Sequence, residues 1–186
     1  MTYIDEHIDQ LDLIAALEAV GADRRAYALR FKNERARRQS LAVFMLLQRA
    51  LRLEYGITGE LRLQQGEHGK PTLADYPDIH FSLSHCRDAV ACVVGDSPVG
   101  IDVECIDRYR PLLLDYAMSP LEREQILASP DAATAFVRLW TMKEALLKLT
   151  GQGITEDLHD VLTETGAYRF DTTVHTTYVC TMCGLK

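Results

Sequence analysis

The chain has 186 residues, a formal net charge of −7 and 47% hydrophobic residues, which suits one globular domain or two small lobes. This is not the composition of a disordered protein, and no apolar run reaches the roughly 18–20 residues of a membrane span. The net acidity argues against duplex nucleic acid as a partner, because that binding needs many basic contacts to phosphates. The first 23 residues hold six acids and no Lys or Arg, unlike a signal peptide. We therefore expect a cytoplasmic protein with no nucleic-acid or membrane partner.

Helical periodicity dominates the first third of the chain, and apolar spacing predicts helices over 8–20, 22–32 and 34–55. Strands separated by Gly, Pro and Asp are then predicted over 60–64, 79–84, 89–94 and 99–104. The second half repeats this order, with helices over 120–128 and 132–149 and strands over 161–170 and 173–182. The alternation predicts an α+β fold of two halves that meet near residues 96–98.

Positive charge is concentrated in a basic window over residues 24–38, which has a charge of +6 against −13 for the rest of the chain. Its seven bases are Arg24, Arg25, Arg30, Lys32, Arg35, Arg37 and Arg38. They form either a solvated helix face or an anion site for a phosphate-bearing ligand or an acidic protein.

Five cysteines are an odd number, and in a chain without a secretion signal they indicate free thiols. Cys180 and Cys183 form a C-x-x-C motif, but no second cluster of Cys or His completes a four-ligand zinc site. Both lie in a predicted strand, where residues three apart point to opposite faces. We therefore do not predict a metal site there.

Two carboxylates alternate with apolar residues in the predicted strand GIDVE. Asp102 and Glu104 project from one face about 6.6 Å apart, and their repulsion calls for a cation if that face is buried. Oxygen ligands favour Mg²⁺. The alternative is an ordinary sheet with one solvated face.

Two further groups are compatible with phosphate chemistry. Glu144 and Lys148 lie four residues apart on a predicted helix, as either a surface ion pair or a metal ligand or base beside a phosphate-binding cation. Lys70 lies between Gly and Pro in a predicted turn, and Ser84 and His85 end a strand where they can donate to phosphate. His85 bonded to backbone is the simpler alternative, and no G-x-S-x-G elbow of a hydrolase surrounds Ser84.

Four short motifs in this region, GKP, FSLSH, GIDVE and LWTMKEALLK, occur in that order between residues 69 and 148. Their order and spacing resemble the motif set of the surfactin-type 4′-phosphopantetheinyl transferases, as does the helical pattern upstream of them. The resemblance implies a pseudo-dimer of two similar α/β lobes with the active site at their junction. The lobes would be 1–97, which binds coenzyme A phosphates, and 98–186, which binds metal and catalyses. Such a chain builds its site alone, so we expect a monomer.

The resemblance also implies the reaction: 4′-phosphopantetheine passes from coenzyme A to a serine of an apo acyl or peptidyl carrier protein, and 3′,5′-ADP is released. Mg²⁺ would be held by Asp102, Glu104 and Glu144, and coenzyme A by Arg24, Lys70, Ser84 and His85. With Asp102, the catalytic residues would be Lys148, which stabilises charge at the pyrophosphate, and Glu144, which takes the serine proton directly or through a water.

Some positions depart from the family pattern. Tyr27 stands where a second base is frequent, Arg24 replaces a common Lys, and Cys86 replaces a small hydroxyl residue. Glu122 matches an acidic position whose role the sequence leaves open, as it does the identity of the carrier. Two other functions use the same residues: a Mg²⁺-dependent phosphohydrolase with water as nucleophile, and a non-catalytic protein that binds coenzyme A or a carrier.

Overall fold

A computed structural model describes residues 1–66, 69–153 and 158–186 of the chain. Its helices are α1 (Leu13–Ala19), α2 (Ala22–Leu29), α3 (Glu34–Tyr55), α4 (Pro111–Ala117), α5 (Pro120–Ala128) and α6 (Ala132–Thr150). Its strands are β1 (Thr2–Asp5), β2 (Leu63–Gln65), β3 (Pro71–Leu73), β4 (His80–His85), β5 (Val90–Gly95), β6 (Val99–Cys105), β7 (Tyr168–Val174) and β8 (Tyr178–Leu185). The predicted mixture of helices and sheets is confirmed. None of the helices in these ranges is long and apolar enough to cross a bilayer.

Two antiparallel sheets form the centre of the molecule, in the strand orders β1-β5-β4 and β6-β8-β7. Side chains of β5 alternate: Val90, Cys92 and Val94 pack under α3, whereas Ala91 and Val93 pack against the second sheet. This alternation is the expected result of the two-residue period of a strand. On its other face the second sheet packs against α6, so helix, sheet, sheet and helix follow one another as layers.

The edges of the two sheets are joined by serine side chains of β4. The hydroxyl of Ser82 accepts a hydrogen bond from the backbone N–H of Ile101 at 3.1 Å, and that of Ser84 accepts one from Val103 at 3.2 Å. Both N–H groups belong to β6, an edge strand of its sheet, where such donors have no neighbouring strand. The hydroxyls therefore fix the distance between β4 and β6, the two strands that carry half of the site candidates.

The predicted bounds of α3 and α5 are confirmed, whereas the single helix predicted over 8–20 is wrong. A 3₁₀ turn covers Ile8–Gln10, and α1 begins only after Asp12. The Asp12 carboxylate accepts hydrogen bonds from the N–H groups of Ile14 and Ala15 at 3.0 and 3.1 Å. It therefore starts a new helix as an N-cap and interrupts the apolar pattern.

The C-terminal strands are present but displaced from the predicted 161–170 and 173–182. Residues before Tyr168 form turns, in which Thr163 Oγ1 donates to the carbonyl of Asp160 at 2.7 Å. The Tyr168 N–H donates to the backbone carbonyl of Thr165 at 3.0 Å. Local bonds of a side chain or of a turn compete with the hydrogen bonds of a sheet ladder. Strands β1 and β3 and helix α4 were not predicted, because each is short.

Candidate active site

A buried polar network lies where β4, β6 and α6 meet. Asp102 Oδ1 accepts hydrogen bonds from Ser84 Oγ and from Lys148 Nζ, both at 2.7 Å, and Lys148 also donates to Ser84 Oγ at 3.0 Å. Asp102 and Ser84 are buried, and Lys148 is partly exposed. Three residues that are far apart in the chain thus form one closed triangle, with Asp102 facing α6 as its strand alternation predicts.

Close packing of β6 against α6 makes this triangle possible. Gly100 lies so near to α6 that a Cβ atom on it would be 1.9 Å from the carbonyl oxygen of Ala145. Any side chain at this position would push strand and helix apart. The glycine therefore sets the spacing at which Asp102 reaches Lys148.

The two other predicted metal ligands, Glu104 and Glu144, lie close enough to the triangle to interact with the charges of Asp102 and Lys148. Glu104 accepts a hydrogen bond from the N–H of Cys105 at 2.9 Å, and its second oxygen lies 3.8 Å from Arg108 Nε. Glu144 Oε1 is buried and, among the residues that the structure describes, has no hydrogen-bond partner. Burial raises the pKa of both glutamates, and the charge of Asp102 raises that of Glu144 further, while Lys148 opposes this shift. The site thus holds carboxylates that favour a nearby cation.

The described residues contain no group of three His, Cys, Asp or Glu side chains already arranged to hold a metal. The donor set nevertheless suits Mg²⁺, because it consists of carboxylate oxygens. Glu144 Oε1 in particular is a buried acceptor without a donor, and such a group is stabilised by a cation. The residues therefore fit a divalent ion by their chemistry.

A cavity of about 290 Å³ opens beside this network and is lined by Lys70, Ser82, Glu144 and Lys148. Lys70 follows Gly69, whose φ of +81° shapes the turn. Its Nζ donates to the carbonyl of Leu149 near the end of α6 at 3.1 Å, and burial lowers its pKa. Two ammonium groups and one carboxylate thus face the same space.

His85 lies at the exposed end of β4. Partial desolvation by its surroundings and the positive charge of Lys148 lower its pKa, while Asp102 acts in the opposite direction. The imidazole is therefore in the electrostatic field of the triangle. Cys86, its neighbour, is buried, and its backbone carbonyl accepts a hydrogen bond from Gln39 of α3 at 2.7 Å.

Arg24 lies against α3 and not among the residues that line the cavity. Its Nη2 donates to Ser40 Oγ at 2.7 Å and also to the Ser40 carbonyl. The guanidinium lies over the rings of Phe44 and Tyr27, at 4.7 and 4.9 Å from their centroids. Burial lowers its pKa, and its Nε is buried without a partner. Since Ser40 follows Gln39, Arg24 lies near the part of α3 that contacts the end of β4.

Other bases of the basic window have a use that the sequence did not indicate. Arg25, Arg35, Arg37 and Arg38 donate to the backbone carbonyls of Leu17, Arg87, Phe31 and Leu11, respectively. They join helices and loops instead of forming a free anion surface. The bonds of Arg37 and Arg38 are partly buried and those of Arg25 and Arg35 are exposed, and hydrogen bonds of charged donors to carbonyls contribute to the stability of the fold.

Glu122, whose role the sequence left open, forms an ion pair with a buried lysine. Lys143 is 1% exposed, and its Nζ lies 2.7 Å from Glu122 Oε2. The same Nζ donates to the carbonyls of Ala117 and Leu158 at 2.9 and 2.8 Å. Glu122 also completes the capping box of α5 with Ser119. The pair therefore ties α4, α5 and the segment after residue 157 to α6, one residue before Glu144.

Arg108 is a further charged residue near the site that the sequence did not indicate. Its guanidinium lies over the ring of Trp140 at 5.2 Å and beside Glu104. Glu104 lies near the end of a strand and Arg108 in the 3₁₀ turn Ile106–Arg108 that follows, so no helical spacing in the sequence indicated this pair. Cys180 and Cys183 are buried free thiols that lie in different parts of the core.

Comparison with known proteins agrees with the sequence motifs. Residues 98–182 match the 4′-phosphopantetheinyl transferase superfamily. The chain is 31% identical over 159 residues to a 4′-phosphopantetheinyl transferase of Bacillus subtilis, covering 82% of this chain and 70% of that protein. It is 32% identical over 180 residues to 4′-phosphopantetheinyl transferase HetI of Nostoc sp., covering 91% and 75%. For psf-1 of Bacillus pumilus the identity is 35% over 142 residues, covering 75% and 61%. This degree of identity over most of the chain confirms the resemblance of the motifs, and the protein is a transferase of the 4′-phosphopantetheinyl transferase superfamily.

Proposed function

We propose that this enzyme transfers 4′-phosphopantetheine from coenzyme A to a serine hydroxyl of an apo carrier protein and releases 3′,5′-ADP, with Mg²⁺ as cofactor. The observation that carries the proposal is the Ser84–Asp102–Lys148 triangle, whose Lys148 lines the cavity together with Glu144, a carboxylate with one oxygen that has no partner among the described residues. Phosphoryl transfer needs positioned reactants and neutralised oxygens, and these residues are equipped for both tasks.

Lys148 is the group best placed to stabilise the diphosphate. An ammonium has three N–H donors, and two of them point to Asp102 and Ser84. Within the described ranges the third has no hydrogen-bond partner, and it would donate to a phosphate oxygen of coenzyme A. Asp102 and Ser84 thereby hold the ammonium in place before the substrate arrives, which is the preorganisation that lowers a charged barrier.

Coenzyme A would lie along the cavity, with its nucleotide and phosphates contacting Lys70, Ser84 and His85. The N–H groups of Lys70 and His85 suit phosphate oxygens. The Ser84 hydroxyl, which donates to Asp102 without substrate, would turn its one donor to the phosphate. Arg24 would bind the 3′-phosphate, and its unpartnered Nε supports this role because a guanidinium can bind phosphate through two parallel donors.

Mg²⁺ would be held by Asp102, Glu104 and Glu144, and when bound it would neutralise charge on the diphosphate and align it. Glu144 is also the candidate base for the serine proton, either directly or through a water. Its raised pKa suits this role, because a base is most effective when its pKa approaches the working pH.

We keep the division into lobes 1–97 and 98–186, related as a pseudo-dimer and acting as a monomer, as part of the proposal. The two separate three-stranded sheets and the position of the candidate residues on β4, β6 and α6 support it.

The test is the intact mass of a panel of apo carrier proteins after incubation with coenzyme A and Mg²⁺. We expect one or more carriers to gain the phosphopantetheine mass and an equal amount of 3′,5′-ADP to appear. Glu144→Gln should lose the conversion, and the matched control Glu124→Gln, on an exposed part of α5, should keep it.

Release of 3′,5′-ADP without a carrier would favour the phosphohydrolase instead. Tight binding of coenzyme A with no product in any arm would favour the non-catalytic binding protein. Either result would overturn the proposal.

A further inference from the structure

A second cavity, of about 490 Å³, lies along the distal part of α3, on elements that contribute none of the candidate active-site residues. It is bounded by α3, the 3₁₀ turn Ile8–Gln10 and the segment that follows α3. We call it the α3 groove. Its volume falls in the range of small-molecule sites.

The floor of the α3 groove is apolar. Its aliphatic residues, buried or half-buried, are Ile8, Leu11, Leu46, Ile57 and Leu61. Met45 also lines it and is only partly buried, and its flexible thioether adapts to ligands of different shape. A floor of this kind binds an aliphatic chain by removing its surface from water.

Two arginines one helical turn apart, Arg49 and Arg52, stand at the rim of this apolar floor. Both are exposed, and within residues 1–66, 69–153 and 158–186 neither guanidinium makes a hydrogen bond or an ion pair. Two acids lie near them: Asp5, which lines the groove and accepts a hydrogen bond from the N–H of His7 at 2.8 Å, and Glu54, which accepts one from Tyr3 Oη. Among the described residues neither acid forms an ion pair with Arg49 or Arg52.

Several arginines of this acidic protein are paired with acids: Arg62 with Asp75, Arg87 with Asp88 and Asp107, and Arg123 with Asp115. Arg138 is exposed and also unpaired among the described residues, but it does not line the α3 groove. What distinguishes Arg49 and Arg52 is that two unpaired guanidinium groups stand together at the rim of an apolar groove, where their charge is available to an external anion. Adjacent guanidinium groups bind a carboxylate or phosphate through paired N–H donors.

We propose that the α3 groove binds a small amphipathic anion, with its aliphatic chain on the apolar floor and its carboxylate or phosphate head between Arg49 and Arg52. The site is separate from the cavity beside Glu144 and does not depend on the proposed transferase reaction.

The test uses the full chain labelled with ¹³C at its methionine methyl groups, because the five methionines place reporters in different regions. Decanoate, added below its micelle-forming concentration, should shift the Met45 methyl signal in a saturable way. Met118, which is 1% exposed in another part of the core, should not respond. Decanol and decyltrimethylammonium, which have the same chain length, should bind at least tenfold more weakly.

Substitutions of arginine test where the carboxylate head of decanoate binds. The double variant Arg49→Gln/Arg52→Gln should weaken decanoate at least tenfold. Arg138→Gln, which removes an exposed arginine of α6, should not change the binding. Decyl phosphate should bind to the same site as decanoate, and Met45→Leu identifies the reporter signal.

Several results would overturn the proposal: no response of Met45, equal affinity for decanol, or no effect of the double variant. Displacement of decanoate by coenzyme A would show that it occupies the catalytic cavity instead. A Met45 shift caused by an acidic amphipathic peptide but not by decanoate would assign the groove to a protein helix. If the chain forms dimers and the dimer no longer responds to decanoate, the α3 groove would be assigned to contact with a second copy of the chain.

Discussion

The triangle at β4, β6 and α6 and the basic window over residues 24–38 are both rich in charge, but they use it in opposite ways. In the triangle, Lys148 faces Asp102 and Ser84 and keeps one donor for the cavity. In the basic window, Arg25, Arg37 and their neighbours donate to backbone carbonyls of the protein itself. The density of charge in a sequence therefore does not locate a site, whereas the partner of each charged group does.

The two regions should also differ in what they contribute to stability. Glu144 is a buried carboxylate with an unpartnered oxygen, which costs folding free energy and is typical of functional positions. The guanidinium bonds of the basic window lower the free energy of the folded state. Substitution of Glu144 should therefore lower activity without lowering stability, whereas substitution of an arginine of the basic window should lower stability.

The largest effect is expected for Glu144→Gln. Loss of the carboxylate should lower kcat with a carrier protein by about a hundredfold or more, because a positioned base contributes about 10²–10⁴-fold. The melting temperature should stay the same or rise, because burial raises the pKa of this group and its charge is unfavourable in the fold. Calorimetry beside the mass assay would check both, and a large drop in stability would contradict the account.

Lys143→Met should lower the free energy of unfolding without changing the lining of the cavity. It leaves Glu122 without its cation, and breaking a buried pair costs about 3–5 kcal/mol. Urea denaturation would measure this loss. The double variant Lys143→Met/Glu122→Gln should recover part of the lost free energy of unfolding, because it leaves no unpaired carboxylate. An equal loss in the single and the double variant would show that the unpaired charge of Glu122 does not cause the loss.

Arg24→Gln should raise KM for coenzyme A about tenfold, as expected for the loss of a charge-assisted bond to phosphate, with kcat nearly unchanged. Steady-state kinetics would measure the split, and Arg24→Lys should restore part of the affinity. An unchanged KM would place Arg24 with the structural arginines of the basic window.

Arg37→Gln is the matched substitution in the same window, because its Nε donates to the carbonyl of Phe31 at 2.6 Å. We expect a loss of about 1 kcal/mol in the free energy of unfolding and no change in KM for coenzyme A. Chemical denaturation and the same kinetic assay would test it. A raised KM would extend the binding site into this part of the basic window.

The smallest effect is the pH dependence of the metal-free protein. Burial raises the pKa of Glu144 above its ordinary value of 4.5. Stability from this group is therefore fully present below pH 4.5 and is lost as the pH rises through the raised pKa. As the pH increases from 4.5, the melting temperature of Glu144→Gln should therefore rise relative to that of the unchanged protein. A difference in melting temperature that does not change with pH would contradict the raised pKa of Glu144.

The sequence predicted α3 and α5 well because each has clear start and stop residues, Asn33 and Gly56 for α3 and Ser119 for α5. The helix over 8–20 failed because Asp12 fits both an amphipathic face and an N-cap. Local pattern alone does not distinguish these two uses.

At the candidate site, the alternation of GIDVE indicated Asp102 and the helical spacing of Glu144 and Lys148 indicated Lys148, each with an ordinary structural alternative that only the resemblance to the family decided against. The contacts of Lys143 and Arg108 were not predictable, since they depend on how α5, α6 and the end of β6 approach each other in space. The hydrogen bonds from the arginines of the basic window to backbone carbonyls were not predictable either, because every residue has a backbone carbonyl and the sequence does not indicate which one accepts.

All five cysteines of the chain are buried and free. Burial raises the pKa of Cys92 and Cys180 to about 12, so almost no thiolate forms near neutral pH. A cysteine introduced on an exposed turn would therefore react alone with a maleimide dye. The native sequence can thus carry a single fluorophore at a chosen position, without prior removal of any of its own thiols.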